Sequence, residues 1–264
     1  MPRKEIMVKP FRSNDMFENL DRDGWAARQP LRRDLIAMLD YLREETVIGT
    51  QSTGNFPLKH VKGITARFVD PPELAEKVGD KVYRIRSEDD LPYLVLLHQM
   101  ASVIGLIDGG HGKRWKLHTA SEQFTNCSAA QQLWGMFRVW WEHLDWCGAY
   151  PVEGLRDGLP RGFRKETLRL LRRLDTGSQT LFDPFAANLI RMTGMKWPID
   201  DQDRGESICK GAIQAIVIKM LELFSVLETE FESIGHGISK LNSFKITEQG
   251  GLMLAGLFED ALPI

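Results

Sequence analysis

Three things are scarce in this chain: cysteine, unbroken apolar runs and net charge. Its only cysteines, Cys127, Cys147 and Cys209, are odd in number, widely spaced and never in a CxxC pair. That pattern argues against a disulfide framework and for reduced thiols in a cytoplasmic setting. The longest apolar region, Ile213 to Leu227, is interrupted by Gln214, Lys219, Glu222 and Ser225. It is too short and too polar for a membrane span and is expected to be a buried core helix. The N-terminal Met1-Pro2-Arg3-Lys4-Glu5 leads into no apolar stretch of signal-peptide length, so a cytoplasmic protein with no membrane partner is expected. The formal charge is −2, from 34 Lys and Arg against 36 Asp and Glu, so any binding to polyanions must come from local patches.

Catalytic signatures are equally scarce. No GxxxxGK[ST] loop and no Gly-x-Ser-x-Gly element occurs anywhere. The glycines of Gly109-Gly110-His111-Gly112-Lys113 have the wrong spacing for a phosphate loop and fit a hairpin turn. His143 and Cys147 are four apart and could share a helix face, but no second ligand pair accompanies them. His98 falls on an apolar helix face and reads as a satisfied core residue. No metal, no cofactor and no enzymatic activity are expected.

What is present is helical periodicity broken by turns. After a polar N-terminal arm, residues 1–30, the spacing of Leu31, Leu35, Met38, Leu39 and Leu42 predicts a helix. Val47 to Thr50 suits a short strand, and Pro57 to Phe68 a second helix with Pro57 at its first position. Asp70-Pro71-Pro72 opens an irregular insertion. Ser87-Glu88-Asp89-Asp90 then provides a cap and acidic first turn for a third helix reaching Ile104. Leu106 to Asp108 and Arg114 to Thr119, joined by glycines, predict a β-hairpin. Helix, short strand, helix, helix and hairpin is the order of a winged helix, the hairpin being the wing.

From Ser128 a helix rich in tryptophan (Trp134, Trp140, Trp141 and Trp146) is predicted to run to Trp146 and to join two domains. Trp134, Phe137, Trp141 and Leu144 make a core stripe, with Trp140 on its flank as a candidate exposed contact. The Gly/Pro-punctuated stretch 151–162 marks the domain boundary. Beyond it, helices are expected over Phe163–Leu174, Leu181–Met192 and Glu206–Phe224, with strands at Leu227–Phe231 and Phe244–Thr247 around a glycine turn at 235–237. A last helix covers Gln249 to Glu259. Trp115-Lys116-Leu117-His118-Thr119 and Phe244-Lys245-Ile246-Thr247-Glu248 share an aromatic-Lys-aliphatic-polar-polar pattern, which suggests two related domains, 31–150 and 151–264. The expected architecture is mainly α with small β-hairpins, as two winged-helix-like domains.

Several segments carry a family resemblance: Thr53-Gly54-Asn55-Phe56-Pro57-Leu58-Lys59, Ala101 to Ile107, Lys116-Leu117-His118-Thr119, and Glu122-Gln123 ahead of Gln131-Gln132-Leu133-Trp134. They resemble a prokaryotic winged-helix family of largely uncharacterised proteins, similar to the repeats that flank XPB-like helicases. The likeness spans roughly residues 31 to 146 and, more loosely, the end of the chain. It implies a fold and carries no active site. The helicase motor is missing.

Candidate nucleic-acid contacts fall in three places. The strongest is Arg161, Arg164, Lys165, Arg169, Arg172 and Arg173, set against Glu166; positions 161, 165, 169 and 172 share one helix side, opposite Phe163, Leu170 and Leu174. Such a stripe can follow a phosphate backbone, meet an acidic protein surface or be a plain solvated face. The wing contributes Lys113, Arg114 and Lys116, and the second helix Lys59 and Lys62. The third helix, by contrast, begins with acids that would repel phosphate. Two readings stand: a non-enzymatic DNA-binding protein, or an interaction scaffold or homodimer that does not bind DNA.

Overall fold

A computed structural model describes residues 14–78, 81–149, 158–233 and 239–260. The described chain is mainly helical with small antiparallel sheets, and it divides into two compact units, Met1–Asp145 and Trp146–Ile264. Among the described residues no helix is long and apolar enough to cross a membrane.

The first unit contains α1 (Asn14–Asp21), α2 (Trp25–Arg28), α3 (Pro30–Glu44), α4 (Leu58–Thr65), β1 (Ala75–Val78), β2 (Lys81–Arg84), α5 (Pro92–Ile104), β3 (Ile107–Gly110), β4 (Lys113–Leu117), α6 (Thr119–Asn126) and α7 (Ala129–Glu142). Pro30 opens α3 at a position where no amide is needed, and Leu31, Leu35, Met38, Leu39 and Leu42 are all buried, as their spacing requires. Residues 14–28 of the expected arm are helices lying against α7. Residues 75–78 and 81–84, in the stretch expected to be irregular, pair as an antiparallel ribbon.

The Trp-rich helix departs from expectation. It stops at Glu142, belongs to the first unit and packs there against α1, α2, α3 and α5. Trp140, the candidate exposed contact, is fully buried, as are Trp134 and Phe137. A helix that is apolar nearly all round is covered nearly all round, which periodicity along one stripe does not reveal. Trp146 begins a separate short helix, α8 (Trp146–Ala149), in the second unit.

The second unit continues with α9 (Phe163–Leu171), β5 (Gln179–Leu181), α10 (Phe182–Thr193), α11 (Gln202–Ile213), α12 (Lys219–Leu223), β6 (Leu227–Ser233), β7 (Ser239–Ile246) and α13 (Glu248–Asp260). The single helix expected from Glu206 to Phe224 starts earlier, where Asp201 caps the Arg204 amide at 3.0 Å, and a wider π turn at Gln214–Ile218 separates α11 from α12. Most of the 151–162 boundary and the 235–237 turn lie outside the described residues.

The two units share one connectivity. In the first, α3 leads to an extended segment at Val47–Gly49, then α4, α5 and the β3–β4 hairpin. The amide of Trp115 donates to Val47 at 2.8 Å and that of Gly49 to Lys113 at 2.9 Å, so this segment borders β4 on the side away from β3. In the second, α9, β5, α10, α11 with α12, and the β6–β7 hairpin follow in turn, with sheet order β5-β7-β6.

The hairpins agree in the bonds at their bases. The Leu106 amide donates to Ala101 and the Val226 amide to Leu221, each at 2.8 Å, across the helix-to-strand turn. After the hairpin, His118 donates back to Leu106 at 2.9 Å and Thr247 to Val226 at 3.0 Å. Lys116 faces Asp108, and Lys245 faces Glu228 at 2.7 Å. The pentapeptides at Trp115–Thr119 and Phe244–Glu248 therefore occupy the same place in each unit.

Candidate nucleic-acid interface

The basic segment of the second unit forms around α9. Phe163, Thr167 and Leu171, at steps of four, are its buried face, and the Thr167 hydroxyl is satisfied by the Phe163 carbonyl at 2.9 Å. This corrects the expected apolar face: Leu170 and Leu174 are only half-buried. The remaining sides carry the cations. Arg161, Lys165, Arg169, Arg172 and Arg173 are exposed. Arg164 is half-buried, its guanidinium 5.0 Å above the Trp146 ring, so part of its role is packing. The one carboxylate on the helix, Glu166, lies 3.6 Å from Arg169, a separation that leaves the guanidinium able to make further contacts.

On the hairpin of the first unit, Lys113, Arg114 and Lys116 are exposed while Trp115 between them is buried. Arg114 and Lys116 share the outer face of β4, since alternate residues of a strand point the same way. Lys59 and Lys62 are exposed on α4. Arg67, just past α4, is engaged with Glu44 at 2.6 Å and lies over the Tyr41 ring at 4.9 Å. The structure thus groups the candidates into a set on α9 in one unit and sets on α4 and β4 in the other.

The acids ahead of α5 have local tasks. They form a separate turn of 3-10 helix, in which Asp90 Oδ2 accepts the amides of Arg86 at 2.7 Å and Ser87 at 3.1 Å, and Asp89 accepts from Asn55 at 2.8 Å. Glu88 is buried. Its Oε2 accepts the Phe56 amide at 2.6 Å and its Oε1 lies 2.5 Å from His98 Nδ1. The Phe56 ring stacks on His98 at 4.3 Å, and Trp115 meets His98 edge-on at 4.4 Å while donating its indole N–H to Gly54 at 2.9 Å. Glu88 and His98 thus tie the 53–57 loop and the hairpin to α5. Sequence alone placed His98 in the core but read Glu88 only as part of an acidic first turn; its partner is ten residues away on another element.

Helix α5 itself carries no Asp, Glu, Lys or Arg, and none of its residues is more than half-exposed. In the second unit, the corresponding α11 opens on Asp200, Asp201 and Asp203, with Glu206 one turn on and bonded to Lys210 at 2.9 Å. Neither helix presents a cationic N-terminus.

A second deep polar site lies under α3. Asp34 accepts the Val69 amide at 2.7 Å and the Tyr93 hydroxyl at 2.8 Å. Burial raises the Asp34 carboxyl above its ordinary range, and burial beside Asp34 pushes the Tyr93 phenol far up. His143 ends α7 and Cys147 sits in α8, so the two are not on one helix face. Among the described residues no group of three or more His, Cys, Asp or Glu is arranged to hold a metal ion.

No family model, no curated protein and no solved structure matches the chain.

Proposed function

We propose that this is a tandem winged-helix protein without catalytic activity, which binds nucleic acid through the phosphate backbone in transcription or DNA maintenance. The shared order of helix, edge strand, helix, helix and hairpin, with the edge strand against the second strand of the hairpin, supports two winged-helix units. The observation that carries the binding reading is the exposed row of Arg161, Lys165, Arg169, Arg172 and Arg173 around α9, a helix whose own sequence holds a single acid, Glu166. A charge density of this kind neutralises phosphates and releases counterions. Lys113, Arg114 and Lys116 on one wing, with Lys59 and Lys62 on α4, add backbone contacts. The reduced thiols of Cys127, Cys147 and Cys209 suit a cytoplasmic setting.

Groove reading by the third helix of either unit is not part of this reading. The half-exposed side of α5 carries no lysine or arginine, and α11 begins with acids. Contact confined to phosphates positions a protein without reading bases, so binding is expected to be largely independent of sequence.

The test is fluorescence anisotropy with a random-sequence duplex across a salt series, comparing the parent with Lys165→Glu/Arg169→Glu. Phosphate contact predicts affinity that falls steeply with salt, and a variant whose log–log slope is shallower by about 2. Unchanged affinity and slope in the variant would remove α9 from the interface. Absence of binding by the parent at low salt would overturn the reading.

A second reading is supported by the same α5 and α11 surfaces. Winged helices that have lost a cationic third helix can serve as protein-interaction modules, here a scaffold or homodimer. Sedimentation of the parent at several concentrations, together with the binding series, separates the two.

A further inference from the structure

The loop at residues 50–55, which leads from the edge strand toward α4, is fastened on every side but its outer one. Its ends close on each other: the Thr50 amide donates to Asn55 at 2.9 Å, the Gly54 amide to Thr50 at 3.0 Å, and the Thr50 and Thr53 hydroxyls are 2.8 Å apart. Buried groups hold it from below. The Trp115 indole donates to the Gly54 carbonyl, and Glu88 accepts the adjoining Phe56 amide at 2.6 Å. On its flank it meets the reversal of the hairpin, where the Gly112 amide donates to Thr50 at 3.3 Å and His111 Nδ1 lies 3.3 Å from the Gln51 carbonyl. Gly54, at φ 80°, sits so close that a Cβ there would come within 2.9 Å of the His111 nitrogen. Loop and hairpin turn therefore form one pre-organised edge.

The outer side is a row of hydrogen-bond donors. Gln51, Ser52 and Thr53 are exposed, as are His111 and Lys113 beside them. Among the described residues, the amides of Gln51, Ser52 and Thr53 meet no acceptor, and the Ser52 hydroxyl meets no partner. The Gln51 side chain lies across Gly112 and is uncommitted as well. Residues 46–69 and 109–121 contain no Asp or Glu at all. Asp89, the carboxylate at the α4 end of the loop, is taken by the Asn55 amide at 2.8 Å. Fixed donors with a cation alongside and no carboxylate among them select an anion. Lys113 with Arg114 and Lys116 on β4 stands to one side of the loop, and Lys59 with Lys62 on α4 follows on the other. A repeating anion, the phosphate backbone, uses such a series more fully than a single carboxylate does.

We infer that the 50–55 loop grips one backbone phosphate of a nucleic acid through uncharged donors, the amides of residues 51–53 with the Gln51 and Ser52 side chains, between Lys113 on the hairpin and Lys59 on α4. This inference rests on the nucleic-acid reading above and adds to it a contact of a different kind, in the other unit from α9. Such a contact fixes the position of the backbone and reads no base.

The experiment titrates the full chain against labelled random-sequence duplex by anisotropy across a salt series. Gln51→Ala/Ser52→Ala removes the uncharged side-chain donors, Ser52→Glu sets a carboxylate among them, and Lys113→Gln removes the neighbouring charge. Lys165→Glu/Arg169→Glu on α9 is measured beside them. The altered loop and hairpin residues are exposed, and circular dichroism checks that each variant folds. Uncharged donors release no counterion, so Gln51→Ala/Ser52→Ala is expected to weaken binding roughly three- to ten-fold at an unchanged log–log slope. Ser52→Glu is expected to lose roughly ten-fold or more, and Lys113→Gln to make the slope shallower by about 1. Amide NMR spectra of the isotope-labelled chain read the backbone donors directly: the signals of Gln51, Ser52 and Thr53 are expected to shift when a short duplex is added. If the α9 variant loses affinity while both loop variants match the parent, the loop inference is wrong and the α9 reading stands. A shallower slope for Gln51→Ala/Ser52→Ala would mean that the loop acts only by placing nearby cations, and would overturn a direct grip. Failure of the parent to bind duplex would overturn both readings.

Discussion

His98 Nδ1 lies 2.5 Å from Glu88 Oε1, and both residues are buried beneath the rings of Phe56 and Trp115. The pair joins α5 to the loop before α4 and, through Trp115, to the hairpin.

Breaking this pair from the Glu88 side leaves the His98 imidazole and the Phe56 amide without their acceptor. Glu88→Ala is expected to destabilise the first unit by about 3–5 kcal/mol, because an uncompensated buried polar group costs more than a lost contact. Glu88→Gln retains one acceptor oxygen and is expected to fall between parent and Ala. Urea denaturation measures both. An Ala variant within about 0.5 kcal/mol of the parent would show that the pair is not structural.

Asp34 predicts a pH effect of definite sign. Burial raises its carboxyl above the ordinary 3.8, against the lowering influence of the Val69 and Tyr93 hydrogen bonds. Between 3.8 and the raised folded value, the folded chain holds a proton that the unfolded chain has released. Stability from this group is therefore greatest at acid pH, falls as pH rises through that window, and is fully lost above the folded value. Asp34→Asn keeps an acceptor oxygen and does not ionise. The difference in stability between variant and parent is expected to grow in the variant's favour as pH rises from about 4 to 7. A difference that is flat with pH would place the titration elsewhere.

Two glycine substitutions contrast a close approach with open space. A Cβ on Gly49 would meet the carbonyl oxygens of Gly110 at 2.3 Å and Gly54 at 2.5 Å, both backbone atoms that cannot step aside. Gly49→Ala is expected to cost about 1–3 kcal/mol or more, read as a lower melting temperature. Gly211, in α11, has nothing within 4 Å, and Gly211→Ala is expected to stabilise by about 0.4–1 kcal/mol. Equal effects would mean that the hairpin and the 49–55 loop separate readily.

The repeated helix-to-strand turn allows a reciprocal exchange. Gly105 takes φ 84° in the first unit and Ser225 takes φ 54° at the same place in the second. Left-handed backbone costs an L-residue roughly 1–2 kcal/mol, so Gly105→Ala should destabilise by about 1 kcal/mol and Ser225→Gly should stabilise by a similar or smaller amount. Thermal melts of the two variants should move in opposite directions; movement in the same direction would deny the equivalence of the two turns.

Much of this fold is visible in local residue patterns. The buried face of α3, the caps at Ser87 and Ser128, the glycine reversal of the first hairpin and the paired pentapeptides all depend on neighbours a few positions away, and a sequence displays these directly. The cations of α9 were legible for the same reason: a helix exposes its charged side by a fixed period.

Other features depended on residues far apart in the chain. Whether Trp140 is core or contact was decided by four helices that converge on α7. Glu88 looks like a solvated cap residue until the 53–57 loop and α5 close over it, at which point burial demands a partner and His98 supplies one. Strand β2 gives little periodic signal because all four of its residues are exposed, so no alternation of apolar and polar residues marks it. Short-range periodicity determined the helices, the turns and the basic stripe; burial and pairing between distant segments, which arise only when those segments meet, decided which polar residues are buried and structural and which stay at the surface.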